Sequence, residues 1–255
     1  MASPTIRVEV WSDIACPWCW IGWSRLQQAL ADFQGQAAFD VRWRAFLLDP
    51  DFPETGEHIE SYYSRRYGPD QAAALRQRLH DSGKWDGAPF ANWHWRPHTQ
   101  GAHELIALAG RCRRSHDAVG LLFRRTYEEG ANVSERRELL DAACQLGLLR
   151  DEGEAWLGSQ EAAAVVAAED SEAKHKRGID AVPTFYISCG SSKEVQMVGA
   201  ESVKAFEVAF RKVLHEAGGT PTSPPTSPEK AGAAGDGKAQ GPAVPQSAKH
   251  AAAAE

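Results

Sequence analysis

The sequence predicts an α/β fold in which one sheet-bearing unit is split in two by a long helical stretch. Three observations carry that expectation. A strand–turn–helix–strand pattern fills residues 6–48, and residues from about 57 to 177 read as helix punctuated by Gly and Pro. Two strand-like runs and a closing helix then occupy residues 182–215.

Taken in order, Ile6, Val8 and Val10 alternate with Arg7 and Glu9, the period of two of a strand, and Trp11 extends the run. Cys16-Pro17-Trp18-Cys19 follows in a short turn, and a helix runs on to Leu30. Pro17 suits a first helical turn, where its missing N–H costs nothing, and Leu26, Ala29 and Leu30 share one face. Gly35 breaks the helix. Ala38 to Leu48 reads as a second strand, with Phe39, Val41 and Trp43 on one face and Asp40, Arg42 and Arg44 on the other. Strand, helix and strand at this spacing form a βαβ unit with parallel strands and a right-handed crossover.

Asp49 to Gly56 is a loop on its Pro and Gly content. Helices are expected at Ala72–Leu79, Thr99–Arg113, Ala118–Glu129, Ser134–Gln145 and Asp151–Lys176, with Gly83–Pro97 irregular. Ser134 is the expected N-cap of the fourth, and Gly147 its stop. Val182–Ile187 and Glu194–Val198 flank a turn at Gly190–Lys193 and make an antiparallel hairpin, followed by a helix over Glu201–His215. The sum, βαβ then helices then ββα, is a thioredoxin-like α/β fold carrying a large all-helical insertion domain. Its halves are residues 1–55 and 178–217, with the insertion at 56–177. Residues 218–255 are rich in Pro, Gly, Ala, Ser and Thr, bury too little apolar surface to offset ordering entropy, and are expected to be disordered.

Composition bounds the function. With 43% hydrophobic residues in 255, the chain can build a sizeable core. A net charge of −6 implies no general nucleic-acid surface. No run approaches the roughly 18 apolar residues of a membrane span. MASPTIRVEV lacks the basic start and apolar core of a secretory signal, so the expected compartment is the cytoplasm. Five cysteines, an odd number, do not resemble a structural disulfide framework. In a reducing compartment a C-x-x-C pair is catalytic or metal-bound rather than a static staple.

The pair at Cys16 and Cys19 has the outline of a dithiol redox centre. Cys16 falls at a helix N-terminus, where free N–H groups and the macrodipole favour a thiolate, the nucleophile of disulfide chemistry. Two intervening residues bring the second thiol within one helical turn. Half of a zinc site is the first alternative, but a structural zinc wants four ligands. No second C-x-x-C or C-x-x-H exists, and Cys112, Cys144 and Cys189 stand dozens of residues apart. A buried, inert pair is the second alternative; the strand–turn–helix setting argues against it. His94, His98 and His103 have loose metal-ligand spacing, interrupted by Pro97. Trp11, Trp18, Trp20 and Trp23 flank the cysteines; most suit core packing, and Trp18 is the one expected to be exposed.

The segments SDIACPWCWIGWSRLQQAL, AHELIALA, GIDAVPTFYI and VGAESVKAF resemble, in order and spacing over about residues 5–215, the DsbA-like thioredoxin-fold oxidoreductases, and within them the FrnE-type branch. The resemblance implies that Cys16 is the attacking and Cys19 the resolving cysteine. It implies that Val182-Pro183 is a cis-proline dipeptide beside them, approached by a loop from Gly178. Pro17, Trp18 and His103, the last from an Ala-His pair that lines the family's cleft, would join that dipeptide in contacting substrate. Packing of a helix is the plainer role for His103. Thiol–disulfide exchange with protein or low-molecular-weight thiol substrates follows, with no metal or resident cofactor and with glutathione as a co-substrate the fold allows. Two departures stand out: His98 where relatives often carry Asn, and a lone Cys189 where some FrnE-type members carry a second cysteine pair. Sister families, the 2-hydroxychromene-2-carboxylate isomerases and kappa-class glutathione transferases, commonly have Ser near the first cysteine position, so an intact pair argues against their chemistry. A chaperone-like protein with an aromatic-rich cleft is the non-enzymatic alternative.

Overall fold

The alternation at the start of the chain becomes the central strand of a sheet. In the computed structural model, which describes residues 3–218, β1 (Thr5–Ser12) is followed by α1 (Pro17–Asp32) and β2 (Ala38–Ala45). Two short strands, β3 (Glu57–His58) and later β4 (Trp95–Arg96), bracket α2 (Ile59–Tyr67) and α3 (Pro69–Trp85). Then come α4 (Gln100–Arg111), α5 (Ser115–Tyr127), α6 (Arg136–Gln145), α7 (Arg150–Trp156) and α8 (Gln160–Ser171). The chain closes through β5 (Thr184–Cys189), β6 (Val195–Val198) and α9 (Val203–Glu216).

The sheet order is β2-β1-β5-β6. β2 lies parallel to β1, pairing Ile6 with Phe39 and Val10 with Trp43. β5 runs antiparallel along the other edge of β1, pairing Val8 with Ile187, and β6 is antiparallel to β5. This is the thioredoxin-type arrangement. Ile6, Val8 and Val10 have no exposed surface, as expected of a central strand covered on its faces. α1 and α9 cover one face through Phe33 against Phe210 (5.3 Å between ring centres), with Phe206 edge-on to Phe185 at 4.9 Å. α4, α5 and α8 pack against β2.

The far end of β2 is capped by acid groups on the last turn of α8. Glu169 Oε2 accepts from the Ala45 N–H (2.9 Å) and Asp170 Oδ1 from the Leu47 N–H (2.7 Å), so these backbone donors at the sheet edge are satisfied. A second joint is made by His116 of α5. Its Nδ1 accepts from Trp43 Nε1 (3.0 Å) on β2, and its ring stacks on Trp23 of α1 (5.5 Å).

Several expectations need correction. The insertion is not purely helical: β3 and β4 form a small antiparallel ladder, Glu57 with Arg96 and His58 with Trp95. The single short helix expected at Ala72–Leu79 is longer, α3 from Pro69 to Trp85, and α2 precedes it, whereas the stretch between α3 and β4 is irregular as expected. The long helix expected over Asp151–Lys176 is broken at Gly158, whose φ of +76° suits glycine, and Ser159 restarts it as the α8 N-cap, accepting from Ala162 N–H. Its last turn, Glu172–Lys176, is a π-helix. Ser134 does not cap α6; its Oγ accepts instead from the His98 N–H (2.9 Å), tying α6's approach to the segment before α4. The strand expected from Val182 begins at Thr184, after Pro183. Gly147 does close α6, with φ +74°. The tail expected to be disordered lies, beyond Gly218, outside the described residues.

Candidate active site

β1 stops at Ser12 because the chain folds back into a tight turn held by one side chain. Asp13 Oδ1 accepts from the Ala15 N–H (3.1 Å), and the Asp13 carbonyl accepts from the Cys16 N–H (3.0 Å). Cys16 is the N-cap of α1, with extended backbone (φ −93°, ψ 110°) and Pro17 in the first turn. Its carbonyl accepts from the Cys19 N–H at 3.0 Å, closing the first helical turn. Cys19 therefore lies directly behind Cys16 and is fully buried, whereas Cys16 faces a cleft. Both are free thiols in this structure. Burial, and then the neighbouring Cys16 thiol, push the Cys19 thiol well above the ordinary cysteine range, so Cys19 holds its proton at neutral pH.

The opposite lip comes from the far half of the chain. The Val182–Pro183 peptide bond is cis, and Cys16 Sγ lies 3.7 Å from the Val182 carbonyl oxygen. Gly199 N–H donates to the Pro183 carbonyl (2.7 Å), and Thr184 Oγ1 to the Ala181 carbonyl (2.7 Å), fixing the loop. Gly22 explains how closely α1 approaches it: a Cβ there would stand 2.9 Å from Pro183 Cγ and 3.4 Å from Phe185 Cζ. Trp18, 37% exposed, sits on the first turn of α1 at the surface.

The cleft beside Cys16 has a volume of about 720 Å³. Ala15, Cys16 and Pro17 form one wall; Phe52, Tyr62, Tyr63, Trp93 and Arg96 form much of the other. Burial raises the Tyr63 phenol above its ordinary range, so its hydroxyl keeps its proton at neutral pH.

His103 departs from the expected substrate contact. Its side chain is 1% exposed and is not part of the cleft wall; Nε2 stands 3.5 Å from Asp13 Oδ1, an ion-pair distance without hydrogen-bond alignment. It packs from α4 beneath the turn that carries Cys16. Asp13 is the residue sequence reasoning passed over. Its second oxygen accepts from the Leu48 N–H (2.8 Å), so one buried carboxylate joins the turn, the segment after β2, and α4. Burial opposes the charge most strongly, yet His103 and the Leu48 and Ala15 N–H groups outweigh it and hold the Asp13 pKa below the usual carboxylate value. A readable signal existed, since an Asp at a strand end is suited to a turn two residues long. Tyr127, also unmarked, donates to the Ile14 carbonyl at 2.9 Å from full burial.

His94 stacks on His58, 6.3 Å between ring centres, and His98 is engaged through its backbone by Ser134. Among the described residues no group of three or more His, Cys, Asp or Glu side chains is arranged to hold a metal ion. Cys112 and Cys144 are exposed, far in sequence from the pair, and Cys189 is buried in β5.

A profile described as the DSBA-like thioredoxin domain matches residues 7–211. The chain belongs to that family. The curated protein YwbO of Bacillus subtilis (strain 168) is 23% identical to this DSBA-like chain over 209 residues, covering 81% of this chain and 96% of YwbO. Among solved structures, a probable DsbA oxidoreductase from Streptomyces coelicolor superposes with a TM-score of 0.71 at 28% identity, covering 86% of this chain and 93% of that one. A 2-hydroxychromene-2-carboxylate isomerase superposes at 0.63 with 16% identity, covering 83% of this chain and 98% of its own, a likeness of fold alone. Among the described residues no helix is long and apolar enough to cross a membrane.

Proposed function

We propose that this DSBA-like protein is a thiol–disulfide oxidoreductase of the FrnE-type branch, working in the cytoplasm on protein or small-thiol substrates through Cys16 and Cys19. The observation that supports the reading best is the pairing of a cleft-facing Cys16 at the α1 N-terminus, 3.7 Å from the Val182 carbonyl, with a sealed Cys19 one turn behind it. The fold alone accommodates isomerase chemistry as well, so the weight rests on the intact pair.

In the oxidising direction a substrate thiolate attacks Sγ of Cys16 in the Cys16–Cys19 disulfide. The S–S bond breaks, Cys19 leaves and takes a proton, and a mixed disulfide forms on Cys16. A second substrate thiolate then attacks the substrate sulfur of that bond and expels Cys16 as a thiolate. Two electrons pass from the substrate dithiol to the protein; the reducing direction is the reverse. The free N–H groups and dipole of α1 stabilise the departing Cys16 anion. Pro17 and Trp18 add no basic side chain, so the helix supplies most of this effect. In this reading the Val182 backbone pairs with an extended substrate segment as a short added strand, with Pro183 and Trp18 flanking it. His103 acts at one remove, through Asp13. The reaction needs no cofactor beyond the cysteine pair.

A glutathione redox titration followed by tryptophan fluorescence tests the reading. The expected result is a single two-electron transition that vanishes in Cys16→Ser, while Cys19→Ser accumulates mixed disulfides. Absence of a transition in the unaltered protein overturns it.

A further inference from the structure

The cleft that Cys16 lines also carries a buried cation that the protein does little to neutralise. The Arg96 side chain on β4 is 7% exposed. Its guanidinium carbon lies 3.8 Å from the Phe52 ring centre and 5.0 Å from that of Tyr62, a cation–π seat between two rings. Of the donors a guanidinium offers, one is used: Nη1 to the Pro97 carbonyl at 3.1 Å. The carboxylate it pairs with, Asp49, stands 4.0 Å from Nη2, at the outer limit of an ion pair, and is 46% exposed. Arg96 lines the cleft, and its other nitrogens make no hydrogen bond to the described residues. A charge removed from water and left under-paired is costly unless something completes its shell.

The neighbouring charges sharpen the assignment. Arg65 and Arg66 also line the cleft, both of them engaged with partners, Arg65 with Glu57 at 2.5 Å. Asp49 and Asp51 line the mouth, but both are exposed, where water and salt screen them. The cleft volume of about 720 Å³ falls within the roughly 300–1,000 Å³ of small-molecule pockets. Tyr62, Tyr63 and Trp93 give it apolar walls on which a thioether or methylene chain can lie.

We propose that this cleft takes a low-molecular-weight disulfide or thiol bearing a carboxylate, with Arg96 as its anion anchor and Cys16 as the attacking sulfur. The chemistry at Cys16 rests on the exchange reading above; the anchor rests on the surroundings of Arg96. The Cys16 thiolate attacks one sulfur of the bound disulfide, the S–S bond breaks, and the other half leaves as a thiolate that takes a proton. Cys19 then gives its proton to solvent and attacks Cys16 Sγ, releasing the second thiol. The protein dithiol is oxidised to a disulfide and the small disulfide is reduced to two thiols.

The test begins with S-methylglutathione, an anionic thioether unable to exchange, titrated into the full-length protein by calorimetry. Binding is expected, weakened by added salt, reduced at least tenfold in Arg96→Gln and partly restored in Arg96→Lys. The loss corresponds to a charge-assisted hydrogen-bond pair. Exchange rates with oxidised glutathione, 2-hydroxyethyl disulfide and cystamine then compare anionic, neutral and cationic substrates. The unaltered protein is expected to favour the anionic one, and Arg96→Gln to change the anionic-to-cationic ratio at least tenfold. No binding of the probe, equal binding by Arg96→Gln, or an unchanged ratio overturns the proposal. Should Arg96→Gln fail to fold, the unaltered protein still decides it: no preference for the anionic disulfide is a refutation. Absence of turnover with all three disulfides defeats the exchange reading instead, and the probe titration still judges the anchor.

Discussion

Mild acid should loosen the joint between α5 and the sheet, because His116 is held there as a neutral ring. Its Nδ1 accepts from Trp43 Nε1, which puts the ring proton on Nε2, 2.5 Å from Gln27 Oε1. A second proton on Nδ1 would face an N–H donor. Burial lowers the His116 pKa from 6.5 to about 4, with Asp117 pulling weakly the other way. The folded value lies below the unfolded one, so the contribution to stability is fully present above about pH 6.5 and is lost as pH falls toward 4. With those two values the unfolded chain gains about 2 kcal/mol relative to the folded one at pH 5, before most carboxylates protonate. The ring keeps part of its surface in solvent, so this figure is a ceiling. Urea unfolding of the protein and of His116→Gln at pH 7 and pH 5 measures the effect. The unaltered protein should lose about 1–2 kcal/mol more than the variant between those pH values. Equal losses would refute the argument.

Other substitutions probe the turn and the lip. Gly22→Ala gains helix propensity of about 1 kcal/mol but forces a contact with Pro183 that overpacking costs of about 1–3 kcal/mol describe, so unfolding midpoints should fall slightly. The exchange rate should fall more than stability does, since the displaced group is the cleft lip. Asp13→Asn replaces an acceptor that faces two backbone donors; a loss of about 2–4 kcal/mol is expected from denaturant curves. Because the Asp13 pKa is depressed in the folded state, its contribution is present above the ordinary carboxylate range and lost in acid. The acid-unfolding curve of Asp13→Asn should therefore be shallower than that of the unaltered protein.

Much of the sheet was legible because its signals are local. Ile6, Val8 and Val10 alternate within one strand, and Cys16 and Cys19 announce themselves by spacing. The hairpin was legible too, apart from its start, which yields to the Val182–Pro183 bend. The insertion was harder. α3 buries only Ala72, Leu79 and Gly83, leaving little periodicity to read, and β3 and β4 are two residues each, too short for any period. The break at Gly158 was signalled by Gly followed by a capping Ser, yet the apolar run on either side outweighed it. Arg96 and His103 show the deeper limit. What surrounds Arg96 is Phe52 and Tyr62, and what His103 meets is Asp13, ninety residues away in the chain. Contacts of that range depend on topology, not on neighbours in sequence.

The two lips of the cleft are 166 residues apart along the chain. During synthesis Cys16 and Cys19 leave the ribosome long before β5 exists to cover the free edge of β1. At about 5–20 residues per second, the thiols wait many seconds without their opposite lip. A nascent chain therefore carries both thiols without the opposite lip of their cleft; under the proposed exchange function, selectivity arrives only when Thr184–Cys189 has docked. The helical stretch acts, in this sense, as a timer between the arrival of the thiols and the arrival of the lip that faces them.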